Sequence, residues 1–398
     1  IGVVGFFNLA GTDEFITVVR LNIIGNDIRR CLRRTLAPIP AAMINSMGYG
    51  GIALGDVEYL VIRDNLIEGN GRDHREPICG VFVLHAEGIE IVRNRILHNG
   101  ARTQEGDGAP ETGRRGGVNI VFGVANTVPV RIGNNTFPRQ DGVPAIKIHD
   151  NIVSHPLGQA LALTALGPVS VVGNQFTSQG VVLSVRPISP SFIAGCVQIL
   201  NLGVSNELYG QLFLFNGALN GSIVSGPAGP DITDDAVLVP RAGLDDERAG
   251  QYLANGNVLF SNNQCLLDLI ESGFSLALSS IAIVSFDDVG FHGNQCDCNL
   301  FDDFVITQAV ILGFSVRIAD NRFKEGWFNA MYSAVTFGLM NATTNNQSTH
   351  CLLIGAPAAL RIDAGNRVLR AAFDREYQCA RTRDAVVAGG GNSLRAFG

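Results

Sequence analysis

The chain has 398 residues, 46% of them apolar and only 16% charged, which supplies a large core and excludes broad disorder. Its net charge is −7 and no basic tract is long enough to follow a phosphate backbone, so nucleic acid is not an expected partner. No apolar run reaches the roughly 18 residues of a membrane helix, and no membrane span is expected.

Taken in order, the chain opens on "IGVVGFFNL", which reads as a strand already inside a fold and suggests a processed or partial chain. "NDIRRCLRRTL" then groups Arg29, Arg30, Arg33 and Arg34, a charge run that reads as a solvated face. From "LNIIGNDI" onward one figure recurs: apolar-x-apolar-x-x-Asn-x-apolar. It places Asn26, Asn65, Asn94, Asn135, Asn151, Asn174, Asn263, Asn294 and Asn321 at equivalent positions. "LRIDAGNRV" adds Asn366 if Gly365 is an inserted bulge residue. Spacings of 29, 31 and 27 residues separate Asn65 from Asn94, Asn263 from Asn294 and Asn294 from Asn321, the period of a solenoid or propeller. The gap from Asn135 to Asn151 is too short for a full turn, and that copy is expected on another face of the same coil.

Strands of four to six residues, rich in Val, Ile and Phe and lacking an amphipathic helix between them, exclude leucine-rich and helical repeats. The expected fold is all-β: a right-handed parallel β-helix with loop insertions, forming a single domain over residues 1–398. In stacked coils the apolar positions of the figure point inward. Asn takes the corner, where it tolerates left-handed backbone angles and bonds the Asn of the next coil.

Three stretches leave the repeat and are expected as outer loops: 101–117, 224–250 and 341–349. Residues 367–387 have helical character, which suggests a short C-terminal cap within 367–398. Cys265 and Cys296 share one repeat position a coil apart, and either a disulfide or two reduced core thiols fits that spacing.

On these corner and core positions, over about residues 15 to 370, the chain resembles the right-handed parallel β-helix proteins of the pectin-lyase-like superfamily. The likeness extends to its carbohydrate-binding and sugar-hydrolase repeat group. It implies the fold; the activities of that family need clusters that do not stand out here. A pectate-lyase calcium site would need paired aspartates, whereas the position four before the repeat Asn reads Val61, Glu90, Arg131, Lys147, better explained as a cross-coil salt-bridge row. "FDDVGFHGN" holds Asp287, Asp288 and His292, but without the remaining polygalacturonase segments it reads as a corner. The histidines, among them His74, His85, His98, His149 and His155, show no metal-binding spacing. One Trp and six Tyr would furnish a sugar cleft poorly.

The sequence therefore points to a non-catalytic scaffold or surface or spike module, extracellular or at the cell surface, with partner contacts or self-assembly through its insertions. No cofactor or metal is expected. The alternative is a polysaccharide lyase, hydrolase or epimerase on acidic polysaccharide, with Arg93, His98, Arg131 and Lys147 as candidate basic groups near the 101–117 loop. Calcium enters only under the lyase form of that alternative. A third reading is a carbohydrate-binding module without catalysis.

Overall fold

The structure, a computed structural model, describes residues 1–3, 17–34, 36, 48–74, 76–100, 113–125, 127–132, 135–140, 144–155, 157–180, 194–203, 256–269, 279–300, 305–325, 330–348, 354–355, 360–368, 385–386 and 393–394. Among these residues there is no helix, hence none long and apolar enough to cross a membrane. The strands form two large parallel sheets, one of 19 strands and one of ten, and each repeat stacks on the next in a solenoid-like arrangement compatible with a parallel β-helix.

One coil shows how the repeat builds this. Ile78–Val92 supplies two stretches of the larger sheet, and Arg95–Leu97 belongs to the smaller one. Three residues in left-handed conformation punctuate it: Gly88, Arg93 and His98, with φ of 63°, 53° and 53°. The preceding coils repeat the five-residue spacing, with Arg20, Gly25 and Arg30, then Tyr59, Asp64 and Gly69. A single left-handed residue reverses the facing of the chain without a loop, so a short strand follows at once.

This corrects the expected role of the repeat Asn. The left-handed residue is the one before it: Gly25, Asp64, Arg93, Asp150, Gly173, Asn262, Gly293, Asp320, Asn345 and Gly365. Gly, Asp and Asn dominate that row because their steric or local hydrogen-bonding properties suit positive φ. The Asn itself turns inward and is buried from Asn65 onward to Asn346.

There it builds a continuous ladder. Each Asn donates its backbone N–H and its Nδ2 to Oδ1 of the Asn one coil on. Asn94 does so to Asn151 at 2.9 and 3.0 Å, and Asn151 to Asn174 at 2.9 Å by both donors. Nδ2 also caps a carbonyl of the preceding coil, as Asn174 does with Ile148 at 2.8 Å. The ladder runs Asn26, Asn65, Asn94, Asn151, Asn174, Asn263, Asn294, Asn321, Asn346, Asn366. A second, shorter one joins Asn70 to Asn99 at 2.8 Å.

Two memberships differ from expectation. Asn135 is not in the ladder: Asn135–Gln140 pairs antiparallel with Thr127–Ile132, so "VRIGNNTF" belongs to a hairpin inserted within one coil, between its strands Gly116–Val124 and Ile146–His149. Its intervening residues are Gly133 and Asn134, a pair that favours tight hairpins. Asn346 takes a rung instead, within the stretch expected as a polar loop. Met340–Thr344 and Gln347–Ser348 are ordinary strands of the two sheets. Gly365 is no bulge either. Thr344 pairs with Ala364 without a register shift, leaving Ile362 on the outer face at 41% exposure.

Of the other expected insertions, 224–250 and residues 101–112 lie outside the described residues, while Gly116 and Gly117 already belong to the strand Gly116–Val124. The expected helix in 367–387 also falls largely outside them; Arg367–Val368 and Ala385–Val386 are strands.

Inside, aligned rows form the core. One runs Ile62, Ile91, Ile148, Val171, Phe260, Phe291, Ile318 and the other Ile67, Ile96, Val153, Phe176, Cys265, Cys296, Phe323. Where one row is large the other is small: Phe260 sits in the same coil as Cys265, Phe291 as Cys296, while Phe176 accompanies Val171. The rings stack along the axis with centroids 6.5, 5.3 and 6.3 Å apart from Phe176 through Phe260 and Phe291 to Phe323. Cys265 and Cys296 are register partners, as the repeat predicts, and both are free buried thiols. Burial raises both thiols, Cys265 well above its ordinary value, which leaves them protonated.

Candidate functional site

The outer face repeats with the same register as the core. The row four before the Asn reads Asn22, Val61, Glu90, Lys147, Ser170, Leu259, Gly290, Arg317. Arg131 is absent from it because it sits in the antiparallel hairpin. Glu90 is bound by Arg63 from one coil and lies 3.5 Å from Lys147 of the next. Burial would raise its carboxyl, but hydrogen bonding and charge from Arg63 and Lys147 outweigh that and hold it low.

Arg93 grips Asp64 of the preceding coil through Nε and Nη2 at 2.8 and 2.9 Å. The Arg93 hydrogen bond lowers the Asp64 carboxyl, with burial opposing. His98 sits on the next left-handed corner, its backbone N–H bonded to Ser154 at 2.8 Å. Of the four candidate basic groups, two are thus tied to carboxylates across coils, one is a corner residue and one belongs to the hairpin.

Asp287 behaves as the corner reading requires. It is buried between the strands Ser279–Ser285 and Asp288–His292, and its carboxylate accepts from the Gly256 amide at 3.2 Å.

Three arrangements were not legible as spacings. Asp56 and His85, register partners in adjacent coils, meet at 2.5 Å between Oδ1 and Nδ1, and Thr17 donates to the other carboxylate oxygen. Burial alone would raise Asp56; its bonds from His85 and Thr17 lower it. His85 also stacks on Phe122, centroids 6.1 Å apart.

His155 is fully buried, and neither ring nitrogen closes a hydrogen bond. Burial first, then the Arg115 charge, pushes it down to about 3, while the Leu157 backbone opposes slightly. It is a neutral core residue at ordinary pH.

The third is on the outer face. His149 Nε2 lies 2.8 Å from Ser170 Oγ. Ser170 lines a groove of about 370 Å3 that passes between Pro144 and Pro168 on one side and His292 and Arg317 on the other, with Leu259 and Gly290 in its floor. A Cβ on Gly290 would lie 2.7 Å from His292 Nε2, so the absence of a side chain there lets the imidazole fold over the floor.

Among the described residues, no three or more His, Cys, Asp or Glu side chains are arranged to hold a metal ion. No family model, no curated protein and no solved structure matches this chain.

Proposed function

We propose that the chain is a right-handed parallel β-helix of the pectin-lyase-like kind. It works as a rigid scaffold or surface module of an exported protein or a tail-like particle, with partner contacts through its insertions. One observation carries this reading: the outward basic residues Arg93 and Lys147 are consumed in ion pairs between neighbouring coils, so that outer charge, like the inner Asn ladder, joins coil to coil. Such exposed pairs contribute little stability each, about 0–1 kcal/mol, but they fix register and hold Arg93 and Lys147 to carboxylates.

The test is a screen of the purified chain on acidic and neutral polysaccharides, following unsaturated-uronate absorbance and new reducing ends with calcium and with chelator. The scaffold reading expects no turnover that depends on these residues. Uronate release that Arg93→Ala or Lys147→Ala abolishes would sink it.

A second reading, a hydrolase acting on a saccharide chain, is favoured by the Ser170–His149 contact beside the groove. A non-catalytic carbohydrate-binding module would use the same groove without that contact.

A further inference from the structure

Ser170 and His149 are 21 residues apart and meet only because their strands stack. Ile146–His149 pairs in register with Val169–Val172, setting Lys147 beside Ser170 and His149 beside Val172. Lys147 is drawn the other way, toward Glu90. The residue directly opposite His149 is apolar, so its ring leans along the diagonal, a separation of roughly 7–8 Å that an aromatic side chain spans. The resulting 2.8 Å contact is a nucleophile-to-base distance.

The electrostatics suit that role. Burial first, then the Lys147 charge, lowers His149 below the ordinary imidazole value, so the ring is neutral at pH 7 and Nε2 can accept the hydroxyl proton. Asp150 and Glu90 act in the opposite direction, and their field favours the imidazolium once a proton has arrived.

The groove supplies the rest. Leu259, 42% exposed, forms an apolar platform next to Ser170. Gly290 continues the floor, and Arg317 follows three coils from Ser170, a distance of about 14 Å at the usual strand spacing. Arg317 makes no ion pair with any described residue, unlike Arg63, Arg93, Lys147 and Lys324. A hydroxyl nucleophile at one end and an unpaired guanidinium at the other define a substrate with an acyl group and a distant negative charge.

We propose that Ser170 and His149 form a nucleophile–base pair that cleaves an O-acyl ester whose alcohol portion is an anionic chain lying along the groove toward Arg317. This deepens the hydrolase reading and rests on it. Ser170 Oγ attacks the ester carbonyl carbon while its proton passes to His149 Nε2. The C–O bond to the alcohol breaks, and the alkoxide leaves with that proton. Water then attacks the acyl-serine, returns a proton through His149, and releases the carboxylic acid and free Ser170. No reactant beyond ester and water is needed.

The experiment treats the purified chain with a fluorophosphonate probe and maps the modified peptide by mass spectrometry, alongside turnover of acetylated and deacetylated acidic oligosaccharide. Labelling at Ser170 is expected, with acetate released from the acetylated oligosaccharide. Ester turnover should fall at least about 100-fold in Ser170→Ala and in His149→Gln, the contribution typical of a general base. Absence of label at Ser170 in the unmutated chain overturns the proposal whatever the variants do. New reducing ends without Ser170 labelling would leave the hydrolase reading standing and remove the acyl step. Labelling with neither acetate release nor reducing ends would overturn the assigned substrate.

Discussion

Asn174 shows what one side chain holds in this molecule. Its Oδ1 accepts from both donors of Asn151, and its own two donors reach Asn263, all at 2.9 Å, while Nδ2 also caps Ile148. Truncation leaves the Asn151 amide and the Ile148 carbonyl buried without their partners, and unmade buried bonds cost about 1–3 kcal/mol each. Asn174→Ala is therefore expected to destabilise by about 2–4 kcal/mol, read as a fall of several degrees in the melting temperature. An unchanged melt would mean that the rung contributes no more than a water-exposed bond. His155 makes the opposite prediction, since neither ring nitrogen is bonded. Its folded value of about 3 lies below the unfolded one. The unfolded chain thus takes up the proton as pH falls below about 6.5. Stability is whole at neutral pH and drains between there and pH 3, by on the order of 4 kcal/mol from this group. His155→Leu should be near neutral at pH 7 and flatten the acid limb of a melting-temperature profile. A limb unchanged by the substitution would assign the acid sensitivity to other groups.

Between neighbouring strands the unit of stability is the pair of rows facing across the core. Phe260 and Phe291 stand where Cys265 and Cys296 give room, and Phe176 and Phe323 complete the same stack from the other row. Cys265→Phe alone overpacks the coil and is expected to cost about 1–3 kcal/mol. Phe260→Val alone opens a cavity and costs a similar or larger amount. In the double variant the two changes offset each other, and a coupling of at least about 1 kcal/mol is expected from the mutant cycle. Additive losses would show that the rows do not share volume. The hairpin Thr127–Gln140 interrupts a single coil, whose strands Gly116–Val124 and Ile146–His149 on either side of it both pair with Ile78–Val92. Replacing it by a short linker should shift the melting temperature by no more than a few degrees, whereas a collapse on its removal would make it part of the core.

At the scale of the whole molecule the two ends of the stack differ. The two core rows are apolar from Ile62 to Ile318 and from Ile67 to Phe323 but turn polar at Thr343 and Ser348 in the coil of residues 330–348, where Ser333, Thr336 and Asn341 are buried as well. Thr336 Oγ1 and Asn341 Oδ1 have no hydrogen-bond partner there. Buried hydroxyls and amides in place of methyl groups forfeit transfer energy and leave desolvation uncompensated. This coil is accordingly expected to open first. Hydrogen exchange should be faster at the amides of 330–348 than at those of 279–298, and equal protection would show that the polar coil is as stable as its neighbours.

The sequence by itself determined the strands, the solenoid-like stacking and most of the ladder, because alternation and an Asn at constant offset are local patterns that survive without knowledge of neighbours. Cys265 and Cys296 fell into register for the same reason. Tertiary structure decided the rest. "VRIGNNTF" and "IKIHDNIV" carry the same local figure, yet only the second pairs coil on coil, while the residues of the first pair antiparallel within the hairpin Thr127–Gln140. "ATTNN" lacks the apolar residues of the figure, yet Asn346 is a rung because the coil below templates its backbone. The Ser170–His149 contact, the Asp56–His85 pair and the groove toward Arg317 have no sequence signature at all. They are products of register between stacked strands, and register depends on the length of every insertion that separates one coil from the next.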